Sequence, residues 1–234
     1  MAKVRLRGPR WASLLAAAAV AAFVLGPLLA HFAFAPPMAG FGLFAVGGLL
    51  GIAALMVGIV VGLRGAGLSG GLAAGALVTA VFLTVAVPAR TFPPINDITT
   101  DTVSPPQFAS AQSLAGNVGR DMSYPGASFA AQQRTAYPDL APLRISATPE
   151  EAFKRVEAAA RRMPDWDITR DDAGVHALEG VATSRLFHFK DDFVVEVRAQ
   201  ENVSVVQMRS KSRDGRSDIG ANAARIKGFF ATLR

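Results

Sequence analysis

The residues best suited to chemistry form a cluster of cations near the end of the chain: Arg209, Lys211, Arg213 and Arg216. Ser217 and Asp218 follow directly, just before the last apolar-periodic segment. Either residue is suited to be the N-cap of a helix that begins there, because its side-chain oxygen can accept from the first free backbone N–H groups. Guanidinium groups beside a helix N-terminus suit the binding of an anion. The cation cluster is therefore a candidate anion-binding site.

The same cluster also suits a structural role, in which its cations pair with acidic side chains and brace the domain. Residues 204–234 carry a net charge of +5, whereas residues 91–203 carry −5. Opposite charges within one domain favour internal pairing. Arg185, Lys190 and Arg198 can still join the cluster around an anionic headgroup or a glycan carboxylate. The sequence leaves both alternatives open.

No arrangement of residues in the sequence predicts a catalytic or metal site. The chain has no cysteine, which excludes disulfides, thiolate ligands and thiolate nucleophiles. His176 and His188 do not form a metal-binding pair, and no nucleophile elbow or glycine-rich phosphate loop is present. Asp191 and Asp192 are predicted to form a turn rather than an acid/base pair. We expect no catalytic residue, no metal and no cofactor, and an enzyme is the less favoured class.

The net charge of +6 comes from the N-terminal part of the chain. Residues 1–90 contain six cations and no acid, whereas residues 91–234 are neutral. A phosphate backbone is bound by a basic domain. This distribution of charge therefore predicts no nucleic-acid partner.

Three apolar runs within residues 1–90 have the length of transmembrane helices: about 11–35, 40–63 and 68–87. His31 is their only ionisable residue. Glycines such as Gly47, Gly51 and Gly67 recur at helical spacing, which lets helices pack closely in lipid. We expect an all-α, three-helix anchor in the lipid bilayer, with a tight turn at 63–67, rather than a transport path.

Positive charge sets the predicted orientation of this anchor. Four cations precede the first helix: Lys3, Arg5, Arg7 and Arg10. Arg64 lies between the second and third helices, and the loop 36–39 is uncharged. Cations favour the cytoplasmic side, so three crossings place everything after Arg90 outside. Ala33-Phe34-Ala35 also fits a signal-peptide cleavage site, but Pro36 disfavours cleavage, and the orientation is the same either way.

Residues 91–143, here called the strap, contain two Pro-Pro pairs and no apolar periodicity. Pro-Pro stiffens a chain toward an extended form. A stretch of this length without regular structure is uncommon inside a compact domain. We expect the strap to pack along the folded domain that follows.

Residues 144–234 are predicted to form an α+β domain in the order β-α-β-β-β-β-α, beginning with a strand at 143–146. Thr148, Pro149 and Glu151 predict an N-cap, a first helical turn and a capping box. Apolar–polar alternation predicts four further strands, at 165–170, 174–187, 192–199 and 203–210. The last helix is predicted at 217–233. A four- to five-stranded antiparallel sheet then packs both helices on one face.

Four stretches carry a resemblance to a known bacterial family: NDITTD with PPQF at 96–108, QQRTAYPDLAPL at 132–143, ATSRLFHFKDDFVVEVR at 182–198 and RSKSRDGRSDIGANAARI at 209–226. They resemble the family of domain of unknown function 1499. The resemblance implies a folded domain in a membrane or envelope setting, and it implies no reaction.

These observations favour a membrane-anchored, extracytoplasmic interaction module of the cell envelope. Its expected location is the bacterial inner membrane, with a cytoplasmic N-terminus and a periplasmic C-terminal domain. The expected partners are the lipid bilayer and either an envelope protein or an anionic lipid or glycan. The alternatives are a small envelope hydrolase or transferase, and an accessory subunit of a membrane transport complex.

Overall fold

The computed structural model describes residues 10–66 and 70–234, which form two compact units. The first unit comprises Met1–Thr91 and Arg185–His188, and the second comprises Phe92–Ser184 and Phe189–Arg234. The sequence predictions that concern Lys3, Arg5, Arg7 and Gly67 lie outside the described residues.

The first unit contains three long helices: α1 at Arg10–His31, α2 at Pro37–Val61 and α3 at Gly70–Ala89. Each is long and apolar enough to cross a membrane, so the three predicted spans are confirmed in length and composition. The tight turn predicted at 63–67 is wrong over its described residues. Gly62–Ala66 follow α2 as one π-helical turn, and at the junction the Gly62 N–H still reaches the carbonyls of Gly58 and Ile59.

Glycines bring these helices close together, as their spacing predicts. A Cβ added at Gly75 would lie 2.7 Å from the backbone nitrogen of Leu55 on α2. A Cβ at Gly47 would overlap the backbone of Phe23 on α1. Only a residue without a side chain permits such a backbone approach.

The second unit is built on one antiparallel sheet of six strands: β1 at Asp97–Thr99, β2 at Leu143–Ile145, β3 at Trp166–Asp172, β4 at Ala177–Thr183, β5 at Lys190–Gln200 and β6 at Val203–Ser212. The strand order is β1-β6-β5-β4-β3, and β2 also pairs with β6. The α+β class is confirmed. The strand β1 was not predicted, and β4 ends before its predicted limit of 187.

Three helices accompany the sheet: α4 at Ala127–Ala136, α5 at Pro149–Ala160 and α6 at Ala221–Ala231. The capping box of α5 is confirmed, since the Thr148 hydroxyl accepts from the Glu151 N–H and the Glu151 carboxylate accepts from the Thr148 N–H. The last helix begins later than predicted. Gly220, with φ at +80°, turns the chain just before its first residue.

The hydrophobic core lies between the sheet and the helices α5 and α6. Phe193 and Met208 of the sheet are fully buried there, as is Phe229 of α6. The ring of Trp166 lies 4.1 Å from that of Phe193 and 5.1 Å from that of Phe229. This packed side is here called the helix face, and it leaves the opposite side of the sheet for polar residues.

Candidate functional site

The opposite side, here called the polar face, carries side chains that alternate with those of the core. On β6 these include Arg209 and Lys211, and on β4 and β5 they include Glu179 and Asp192. All four are buried. Buried charges require partners, so the elements that cover this face determine what its residues can do.

Arg209 and Lys211 share one carboxylate, that of Asp97 on the neighbouring strand β1. Arg209 donates from Nε and Nη2 to the two oxygens of Asp97, each at 2.8 Å, and Lys211 Nζ lies 2.9 Å from Asp97 Oδ2. The side chains of Arg209 and Asp97 are both 0% exposed. A two-pronged guanidinium–carboxylate pair has strict geometry, so these two cations are committed to an internal partner.

The strap crosses the polar face and completes the surroundings of Arg209. The guanidinium donates to the backbone carbonyls of Pro106 and Met122, at 3.3 and 2.9 Å. The rings of Phe108 and Tyr124 lie over it at 4.8 and 5.5 Å. Burial raises the pKa of the Tyr124 hydroxyl to about 12, with the negative charge of Asp97 adding to the effect.

Glu179 is a second buried anchor for the strap. Its carboxylate accepts hydrogen bonds from the backbone N–H groups of Ala109, Ser110 and Ala111, at 2.8 to 3.1 Å. Arg170 donates to the same carboxylate at 3.2 Å. A carboxylate that gathers three consecutive N–H groups fixes the path of the backbone, so this residue holds the strap on β4.

Asp191 and Asp192 also hold elements together, and the predicted turn at this place is wrong. They lie on β5 and point to opposite faces of the sheet. Asp192 accepts from Nε and Nη2 of Arg213 at 3.0 and 2.6 Å, and Asp191 pairs with Arg225 of α6. Both carboxylates are buried. Their cationic partners lie far along the chain, which a local turn signal does not show.

A family model for proteins of unknown function (DUF1499) matches residues 97–233. The chain belongs to this family. No curated protein matches the sequence. The match begins at Asp97, the carboxylate shared by Arg209 and Lys211, so the DUF1499 domain includes most of the strap as well as the sheet.

The remaining residues of the cation cluster take separate roles. Ser217 donates to the carbonyl of Pro93 at 3.0 Å, and Asp218 accepts from the N–H groups of Gly220 and Asn222, each at 2.9 Å. Burial raises the pKa of the Asp218 carboxyl. Asp218 therefore caps the start of α6, although the helix begins three residues after it.

Arg216 lies outside the ion pairs of the polar face, and Arg185 belongs to the other unit. Arg216 is exposed and has no ion pair within the described part of the chain. Arg185 belongs to the first unit, where its carbonyl lies 3.0 Å from Nδ1 of His31. The structure thus joins Arg209, Lys211 and Arg213 on the polar face, and the geometry favours a bracing role for these three.

The two histidines discussed with the soluble part belong to different units. His176 belongs to the second unit, where its Nε2 lies 3.8 Å from a carboxylate oxygen of Glu150. His188 belongs to the first unit. Among residues 10–66 and 70–234, no group of three or more His, Cys, Asp or Glu side chains is placed to hold a metal ion.

Proposed function

We propose that this protein is a membrane-anchored, extracytoplasmic interaction module that displays its DUF1499 domain outside the inner membrane. The distribution of cations around the three apolar helices carries the proposal. Arg10 begins α1 and Arg64 lies between α2 and α3, whereas the loop between α1 and α2 is uncharged. Cations next to membrane spans favour the cytoplasmic side, so the domain after α3 lies on the periplasmic side.

The absence of cysteine from the chain makes this topology directly testable. Val103→Cys introduces a thiol at a position of the DUF1499 domain that is 92% exposed. Leu63→Cys introduces one at the end of α2, at a position that is 83% exposed. A membrane-impermeant maleimide should label Cys at 103 in intact spheroplasts and Cys at 63 only after permeabilisation. The reverse pattern would overturn the proposal.

The partner that we propose is an envelope protein or an anionic lipid or glycan. Buried ion pairs of Asp97 with Arg209 and Lys211 fix the strap across the polar face, which supports the display of one stable surface. Within the cation cluster, Arg216 is the exposed cation without an ion pair among the described residues. An anionic partner can reach Arg216 without separating an existing pair.

The intact protein, purified with its bound lipids and cross-linked neighbours, tests this interaction. Arg216→Ala should reduce the recovery of an anionic partner and leave the thermal unfolding temperature unchanged. Lys154→Ala, which removes an exposed cation on α5, is the matched control and should reduce nothing. Equal recovery with Arg216→Ala and wild type would remove Arg216 from the interaction. Arg213→Ala is unsuitable as a test, since it leaves the buried Asp192 without its partner.

A further inference from the structure

A polar cleft of about 280 Å³ opens on the polar face of the sheet, within the second unit. The strap forms one wall near Gly116, and the strands β3, β4 and β5 form the floor together with Arg213, which follows β6. Five side chains with polar groups line it: Asp167, Thr169, Thr183, Lys190 and Arg213. This size admits a small molecule of a few non-hydrogen atoms beyond a single water.

Two of the three charged side chains that line the cleft are unpaired. Lys190 and Asp167 are exposed, and neither side chain has a hydrogen bond or ion pair among the described residues. This contrasts with the polar face beside the cleft, where Arg209, Lys211 and Arg213 all have carboxylate partners. Lys190 and Asp167 are therefore free to bind a charged ligand.

A residue that lines this space also carries an unsatisfied hydroxyl. The pairing of β3 with β4 shifts register between Ile168 and Arg170, which leaves Thr169 as the extra residue of a β-bulge. Thr169 lines the cleft, and its Oγ1 is buried without a hydrogen-bond partner. Buried polar atoms in folded proteins nearly always have a partner, so this hydroxyl is an unsatisfied group beside the cleft.

Arg213 contributes a further donor. Its Nε and Nη2 bind Asp192, which leaves Nη1 without a hydrogen bond within the described residues. Nη1 lies against Gly116, at the wall of the cleft. The Arg213–Asp192 pair is neutral as a whole, so Nη1 acts as a fixed hydrogen-bond donor rather than an additional net charge.

We propose that this cleft binds a small zwitterion of the ethanolamine-phosphate type. Asp167 receives the ammonium group, and Lys190 with Nη1 of Arg213 receives the phosphate. A tetrahedral phosphate can accept from several donors at once. This ligand is additional to the anionic partner proposed at Arg216. Its source in the envelope rests on the proposed function.

The register of the sheet matches the length of such a ligand. Asp167 pairs with Val181, and Lys190 pairs with Thr183, two residues further along β4. Two strand spacings and two residue rises put their Cα atoms roughly 12 Å apart. The side chains shorten the gap between the charges, and an ammonium joined to a phosphate by two carbons fits it better than an α-amino acid. A lone anion or cation would satisfy only one end.

Calorimetry on the full chain in a zwitterion-free detergent tests this inference. Phosphoethanolamine should bind saturably, and inorganic phosphate or ethanolamine alone should bind at least about tenfold more weakly, a difference near 1.4 kcal/mol. Lys190→Ala and Asp167→Asn should each weaken binding by a similar factor. Lys154→Ala and Glu201→Gln, at exposed positions outside the cleft, are the matched controls.

No saturable binding of phosphoethanolamine would overturn the inference. Phosphate that binds as tightly as phosphoethanolamine, with no effect of Asp167→Asn, would also overturn it. In nanodiscs with phosphatidylethanolamine, reduced affinity for the free compound would identify a lipid headgroup as the source, and unchanged affinity would identify a free ligand. The thiol-labelling pattern is independent of this result, so the topology and the ligand can fail separately.

Discussion

Asp97 is the residue of the DUF1499 domain whose replacement we expect to cost the most stability. Asp97→Asn preserves the shape of the side chain but removes the charge shared by Arg209 and Lys211. Removing one partner of a buried ion pair costs about 3–5 kcal/mol, because the other charge stays buried without compensation. The Arg209 side chain is 0% exposed and that of Lys211 is 11% exposed. We therefore expect a loss of about 4 kcal/mol, mostly from Arg209.

Denaturant unfolding of the full chain in detergent measures this loss through tryptophan fluorescence. The chain has two tryptophans, and Trp11→Phe leaves Trp166, whose ring stacks on Phe193 in the core. The control is Asp139→Asn. Asp139 is 66% exposed and pairs with the exposed Lys227, so its replacement should leave the midpoint unchanged.

A double-mutant cycle separates the ion pair from general damage. Arg209→Met leaves Asp97 paired with Lys211, so the double variant should lose less than the two single losses together. Asp97 acts through Arg209 only if the two changes are non-additive by about 1 kcal/mol or more. Additive losses, or a loss below about 1 kcal/mol for Asp97→Asn, would refute the reasoning.

Three further predictions concern the same domain. Burial raises the pKa of both tyrosines, Tyr124 and Tyr137, to about 12, so near-ultraviolet absorbance at pH 11 should show little tyrosinate until denaturant is added. A pKa higher in the folded state means that this stabilisation is full below the unfolded value of about 10 and is lost as the pH rises through about 12. Glu179→Gln should speed hydrogen exchange in the strap at 109–111 about tenfold, because the single amide oxygen cannot accept from all three N–H groups that the two carboxylate oxygens gather. Gly180→Ala should destabilise by about 1–3 kcal/mol in the same unfolding assay, because the added Cβ lies 2.6 Å from the carbonyl oxygen of Asp167.

Local signals predicted those parts of the fold that local physics determines. The start of α5 follows from Thr148, Pro149 and Glu151, whose contacts lie within one turn of helix. The three apolar helices follow from length and composition alone. The alternation in residues 203–210 predicted β6, because residues two apart share a face of a strand.

Long-range pairing determines the parts that were missed. β1 is three residues long, and it is a strand because Asp97–Thr99 pair with residues more than a hundred positions away. Asp191 and Asp192 look like a turn in sequence, since adjacent acids are uncommon inside strands. Arg225 and Arg213 make their burial possible, and the sequence does not show that these arginines lie opposite.

The spacing of the cations also indicates which face of the sheet they occupy. Arg209, Lys211 and Arg213 are two residues apart at the end of a predicted strand, so all three must share one face of the sheet. The helices need the other face for the core, so a cationic face must be covered by a segment that supplies carboxylates. The negative charge of residues 91–203 supplies these partners in number, although only the fold shows which acids are used.

The same pairing indicates where a ligand can bind. A ligand that competes for Arg209 or Lys211 must separate a buried ion pair, which costs several kcal/mol before any contact is gained. A ligand at Lys190 or Asp167 separates nothing, because neither side chain has a partner among the described residues. The three paired cations that first attract attention in the sequence, Arg209, Lys211 and Arg213, are thus the less favourable binding site. Binding at the unpaired charges costs less, and these charges became distinguishable only when the fold assigned the other cations to their carboxylates.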